Sequence, residues 1–118
     1  MMGTHLMTHP AEIPALLVVR DRWGGWTHPA FFEPARGEFE VPGEFTAWLA
    51  EHHLVTATTW MENEVDDWQM ERFRKTGNCS DWSPSRPPGD DWFTGSIHDT
   101  EDGPVCIWLR PRREKDAA

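Results

Sequence analysis

Eight tryptophans set against only six Leu, six Val and three Ile decide what this chain can build a core from. The aliphatic residues and Phe together are fewer than one residue in five. With a net charge of -9, such a composition ordinarily accompanies disorder. The tryptophans oppose it, because each indole can bury roughly 150–250 Å² and disordered chains are poor in aromatic residues. The 118 residues suit one domain spanning 1–118, with frayed ends at about 1–12 and 111–118. How many of the eight indoles belong to the core is the question the sequence poses.

Local patterning supplies the elements. Leu16 to Arg20 (LLVVR) is a short apolar run and predicts a strand buried on both faces. Gly24-Gly25 between Trp23 and Trp26 predicts a hairpin turn, with a return strand to Phe32 that Pro29 places at an edge or bulge. Glu38 to Val41 alternates and predicts a third short strand. Phe45, Trp48, Leu49 and His52 share one face of a helix over 44–54. Val55 to Met61 (VTATTWM) predicts a strand. A second helix starts from an N-cap at Asn63 and stops at Gly77, with acids at its first turn and Arg72, Arg74 and Lys75 at its last. Its core side is expected to carry Met61, Val65, Trp68 and Phe73. Residues 78–91 hold three prolines and no period, so they read as a long loop. Two alternating runs from Trp92 and Val105, joined by an acidic turn, predict an antiparallel hairpin. The expected fold class is α+β: an antiparallel sheet of about five strands with two helices packed on one face.

Charge narrows the function classes. Residues 33–71 carry ten acids and one base, Arg36, and their excess equals that of the whole chain. Such a field repels phosphate backbones, so direct nucleic-acid binding is not expected. It suits a partner protein with a basic surface, or simply keeps a small chain soluble. On the second helix, Glu64, Asp67 and Glu71 fall at spacings that make a ridge of three carboxylates. Trp82 and Trp92, flanking the Pro-rich loop, are the candidate apolar anchors. No apolar run approaches the roughly 18 residues of a membrane span, and residues 1–7 lack the pattern of a secretory signal. Cys79 and Cys106 are too few for a disulfide scaffold. The expectation is a cytoplasmic protein with free thiols, no membrane contact, no metal and no cofactor.

Catalytic patterns are sparse. Ser96, His98 and Asp99 superficially resemble a triad, but Asp99 belongs to the turn and no nucleophile elbow precedes the serine. His98 and Cys106 face one another in the expected hairpin, yet zinc needs about four ligands at tetrahedral spacing. A small enzyme or metalloprotein using His98, Asp99 and Cys106 is the alternative reading. A Trp-lined ligand or carbohydrate binder is another.

One stretch carries a likeness. Gly89-Asp90-Asp91-Trp92-Phe93, followed by Ser96 to Val105 and Trp108-Leu109-Arg110, resembles the C-terminal end of small uncharacterised accessory proteins of phages and mobile elements. The resemblance spans about residues 89–110 and implies no mechanism. It implies the company of short acidic inhibitors, anti-CRISPR-like or immunity-like, which occupy a basic surface of a larger target.

Overall fold

A computed structural model describes residues 13–34, 41–113 and 116. The strands are β1 (Trp26–Thr27), β2 (Leu54–Trp60), β3 (Phe93–Thr100) and β4 (Gly103–Pro111). The helices are α1 (Glu44–Glu51) and α2 (Asp67–Thr76). Among the described residues one antiparallel sheet forms, in the order β1-β3-β4-β2.

The last strand in sequence is therefore a central one. Val105 to Leu109 are apolar at every position, so β4 needs cover on both faces. Its alternation divides the core. Cys106 and Trp108 join Met61, Met70, Phe73, Cys79, Trp82 and Ile97. Leu109 joins Ile13, Leu54 and Phe93, with Ile107, Phe31, Trp48 and Leu49 packed against them. Each helix serves one cluster: α2 gives Met70 and Phe73 to the first, and α1 gives Trp48 and Leu49 to the second. The two helices expected on one face thus pack against opposite faces.

A bulge between Thr94 and Ser96 makes this possible. In a regular strand residues 93 and 97 share a face. The extra residue, Gly95, turns Phe93 towards Leu109 and Ile97 towards Cys106 on the other side. A Cβ on Gly95 would stand 2.8 Å from Leu109 Cδ1 and 3.0 Å from Phe31 Cε1. The missing side chain is what lets the bulge sit against the core.

The antiparallel hairpin of β3 and β4 forms as predicted, but the bulge corrects the alternation expected of Phe93, Gly95 and Ile97, because Phe93 and Ile97 face opposite sides. Thr100 pairs with Gly103 across the turn. The Thr100 hydroxyl donates to Gly103 O at 2.9 Å and accepts from Asp102 N at 3.0 Å.

Other elements depart from expectation for identifiable reasons. Leu16 to Arg20 forms no strand among the described residues, with Leu17 84% and Val19 69% exposed. Only Val18 packs on the core. The predicted hairpin partner is drawn elsewhere, because Trp26–Thr27 pairs with β3. Asp21 closes a local turn instead: Asp21 N donates to Gly25 O and Gly24 N to Asp21 O. The return strand stops at Thr27, and Phe31 N folds back to His28 O at 2.9 Å. The strand expected over 38–41 falls outside the described residues except for Val41, which accepts from Glu44 N at the start of α1.

Helix α1 ends at Glu51 because His53 adopts φ 54° and Leu54 enters the sheet opposite Pro111. Helix α2 begins one turn later than expected. Met61–Asn63 closes a 3₁₀ turn, and Asp66 is the N-cap, its carboxylate accepting from Gln69 N at 2.8 Å. The C-terminal signals hold, with Arg74 and Lys75 in the last turn and Gly77 at φ 73°. Beyond β4, the tail is tied at Asp116, which accepts from Arg110 Nη1 at 2.7 Å and Nη2 at 2.8 Å.

Candidate partner-binding site

The later start of α2 redistributes the expected carboxylate ridge. Glu64 lies before the helix rather than on it. Its Oε1 accepts from Trp82 Nε1 at 2.9 Å and from Ser85 N at 3.1 Å. Burial alone pushes the Glu64 carboxyl up. Hydrogen bonds from the Ser85 hydroxyl, the Trp82 indole and the Ser85 amide outweigh it and hold the group below its ordinary range. Asp67 and Glu71 do share the exposed side of α2 at an i,i+4 spacing. Glu71 is paired with Arg74 at 3.4 Å.

The two proposed anchors are not equivalent. Trp82, expected as an apolar anchor, is 2% exposed and sits among Met61, Met70 and Phe73. Trp92 is half-buried; its Nε1 donates to Pro88 O at 3.0 Å, and the Arg110 guanidinium lies 5.1 Å from its ring centroid. The structure thus bonds the exposed Glu64 to the buried Trp82, and Asp67 and Glu71 are exposed as well.

Two other indoles stand in solvent. Trp68, expected in the core, is 66% exposed, and Trp23 is 50% exposed. Once α2 starts at Asp67, Met70 and Phe73 define its inner side, and the 100° step per residue puts Trp68 on the outer one. Each exposed ring carries a guanidinium: Arg72 lies 4.5 Å from the Trp68 centroid and Arg22 lies 4.7 Å from that of Trp23. Arg72 is itself paired with Asp81.

The His98, Asp99 and Cys106 set does not converge on one point. Cys106 stands opposite Ile97, while His98 stands opposite Val105, so their side chains leave the hairpin on opposite faces. His98 Nδ1 is 2.9 Å from Ser96 Oγ, which is 2.8 Å from Thr27 Oγ1. Partial burial of the ring pushes His98 down, against the opposing pull of Asp99. Burial pushes the Cys106 thiol up to about 12, so it is protonated at neutral pH. Among the described residues no three His, Cys, Asp or Glu side chains gather as a metal site would require.

Sequence reasoning missed a cleft of about 310 Å³ at the β1 edge of the sheet. Trp23, Trp26 and Phe73 give it rings, Asp21 and Asp99 give it carboxylates, and Gly77 brings in the C-terminal end of α2. The turn before β1 fixes one wall. Asp21 Oδ1 accepts from Trp23 N and Gly25 N, both at 2.9 Å. Those backbone donors, Gly25 first, hold the Asp21 carboxyl below its ordinary range. The turn is locked onto residues 79–82 by Arg20, whose guanidinium donates to Gly24 O, Cys79 O and Trp82 O. Gly24 is required at the contact: with φ 95°, a Cβ there would stand 2.6 Å from Ser80 N. The sequence signal for this wall is the Asp-x-Trp-Gly-Gly-Trp run of residues 21–26, which reads as a hairpin until the Asp21 side chain is seen to close it.

Comparison with known protein families, with curated proteins and with solved structures finds no match. The chemistry of the surface therefore carries the functional reading. Its rings offer faces for stacking, and its carboxylates accept hydrogen bonds. Among the described residues, no helix is long and apolar enough to cross a membrane.

Proposed function

We propose that this chain is a non-enzymatic protein-binding module that occupies a basic surface of a larger target. The likeness of residues 89–110 to accessory proteins of phages and mobile elements favours an inhibitor of anti-CRISPR-like or immunity-like kind, acting in the cytoplasm. The observation that carries the reading is the exposure of Trp23 and Trp68. In a chain so short of aliphatic residues, two of the largest apolar side chains are left outside the core. Solvent-facing indoles of this sort are the side chains most enriched at binding hot spots. The acid excess of residues 33–71 gives the sign of the partner's surface, and the same field disfavours a phosphate backbone.

The surface also amends the residues assigned to it. Asp67 and Glu71 remain, Trp68 and Trp23 serve as apolar anchors, and Trp92 offers a half-buried ring edge. Trp82 is buried, and Glu64 is committed by its hydrogen bonds to holding the loop over the core. The test is crosslinked capture from the native host, quantified by mass spectrometry for wild type, for the pair Trp23→Ala and Trp68→Ala, and for the pair Asp67→Lys and Glu71→Lys. The aromatic pair is expected to reduce recovery of a specific partner about tenfold or more. The charge reversal is expected to flatten the salt dependence of binding. Full recovery with both folded variants refutes the reading.

A further inference from the structure

We propose that the cleft formed by Trp23, Trp26 and Asp99 takes the charged end of one lysine or arginine side chain. The proposal rests on the reading of this chain as a module for a basic partner, and it names the group of that partner which is anchored.

Carboxylates reach the cleft from two separate elements, Asp21 from the turn before β1 and Asp99 from β3. Neither has an ion-pair partner among the described residues. The C-terminal end of α2, a ten-residue helix, adds the negative end of its dipole at Gly77.

Of the neighbouring positive groups, Arg20 helps lower the Asp21 carboxyl, as the least of its causes, and leaves Asp99 unpaired among the described residues. Arg20 spends its guanidinium on the carbonyls of Gly24, Cys79 and Trp82. His98 also lines the cleft, and partial burial of its ring pushes it towards the neutral form, against the pull of Asp99. Arg22 lies 4.7 Å from the Trp23 centroid, so this indole already accepts a guanidinium from within the chain. Trp23, Trp26 and Phe73 supply further ring area for the alkyl stem and the cation.

Size argues in the same direction. About 310 Å³ is the small end of the range for ligand sites and suits a single long side chain. A neutral sugar stacked on the indoles would bring no charge to match Asp99. A hard divalent cation takes about six or more oxygens, and among the described residues no three His, Cys, Asp or Glu side chains gather as such a site requires.

The probes are n-butylguanidinium and n-butylammonium, titrated into the full chain labelled with ¹⁵N, with n-butanol as the neutral control. The indole N–H signals of Trp23 and Trp26 are expected to shift saturably with a Kd of about 1–50 mM. The shifts should shrink at high salt and be absent with butanol. Asp99→Asn, on an exposed position of β3, is expected to weaken binding about fivefold or more. Trp23→Ala gives a second, independent loss. Asp21 is left unchanged because its side chain holds the turn together. No saturable shift, an equal response to butanol, or an unchanged Kd in Asp99→Asn overturns the assignment.

The two proposals separate cleanly. A partner complex that depends on Trp68, in a protein whose cleft ignores both cations, refutes the cleft and leaves the module. Saturable cation binding beside a partner complex indifferent to Trp23 and Trp68 refutes the module, and the cleft then stands only as a cation site.

Discussion

Replacing Glu64 by Ala separates a residue that meets a partner from one that holds the fold. The substitution removes the acceptor for a Trp82 indole that is 2% exposed, together with the acceptor for Ser85 N. A buried donor left unpaired costs about 1–3 kcal/mol. The carboxylate side of the contact is open to water, which reduces its share. The expected net loss is therefore about 1–2 kcal/mol, or about 4–8 °C in Tm for a domain of this size. Glu64→Gln keeps an oxygen acceptor without the charge and is expected to cost about half as much.

The contact also has a pH signature. The folded-state pKa of Glu64 lies below its ordinary 4.5. Its contribution is thus complete above that value and is lost as the pH falls through the folded-state pKa. Urea unfolding followed by Trp emission, at pH 7 and at several points below 4.5, measures both effects. The part of the wild-type loss that comes from Glu64 should vanish in Glu64→Gln. A cost below about 0.5 kcal/mol for Glu64→Ala, with the Trp82 indole N–H resonance unmoved, refutes the internal role.

Two further outcomes follow from the packing. Gly95→Ala places a methyl group 2.8 Å from Leu109 Cδ1, and Leu109 is 0% exposed. A destabilisation of about 1–3 kcal/mol by urea unfolding is expected, and a neutral result would mean that the bulge is not held by that contact. Cys106, with its thiol pushed up to about 12 by burial, should resist iodoacetamide at pH 8 in the native protein and react once urea unfolds it. Rapid native labelling at Cys106, located by peptide mass spectrometry, would contradict the buried placement.

The parts of the fold that were legible in the sequence are those set by nearest neighbours. The pairing of β3 with β4, the alternation of β4, the packing of Trp48 and Leu49 from α1 and the glycine stop of α2 are local patterns, and each appears where expected. The start of α2 was ambiguous because Asn63 and Asp66 are both good capping residues. The choice falls to Asp66 because Met61, 0% exposed, is packed in the core through a 3₁₀ turn instead. That shift of one turn moved Trp68 outside and took Glu64 off the helix. The burial of Trp82 was not legible, because its hydrogen-bond partner lies 18 residues earlier. The opposite placement of the helices was equally hidden. It depends on a bulge that changes which of Phe93 and Ile97 faces each side, and a lone glycine in a strand pattern does not announce its direction. The cleft has no sequence period either, since the Asp21 turn, α2 and β3 meet only in three dimensions.

Arg20 has a consequence for the long Pro-rich segment. Its guanidinium fixes the backbone at Cys79 and at Trp82. Glu64 fixes Ser85, and Arg86 reaches the Trp92 carbonyl. A connection that reads as one slack span is thereby divided into spans of only a few residues. The entropy of closing a loop grows with the logarithm of its free length, and here most of that freedom is already removed by directional bonds at the anchors. The polar side chains of this tryptophan-rich chain thus supply chain constraint where its few aliphatic residues cannot supply contact area.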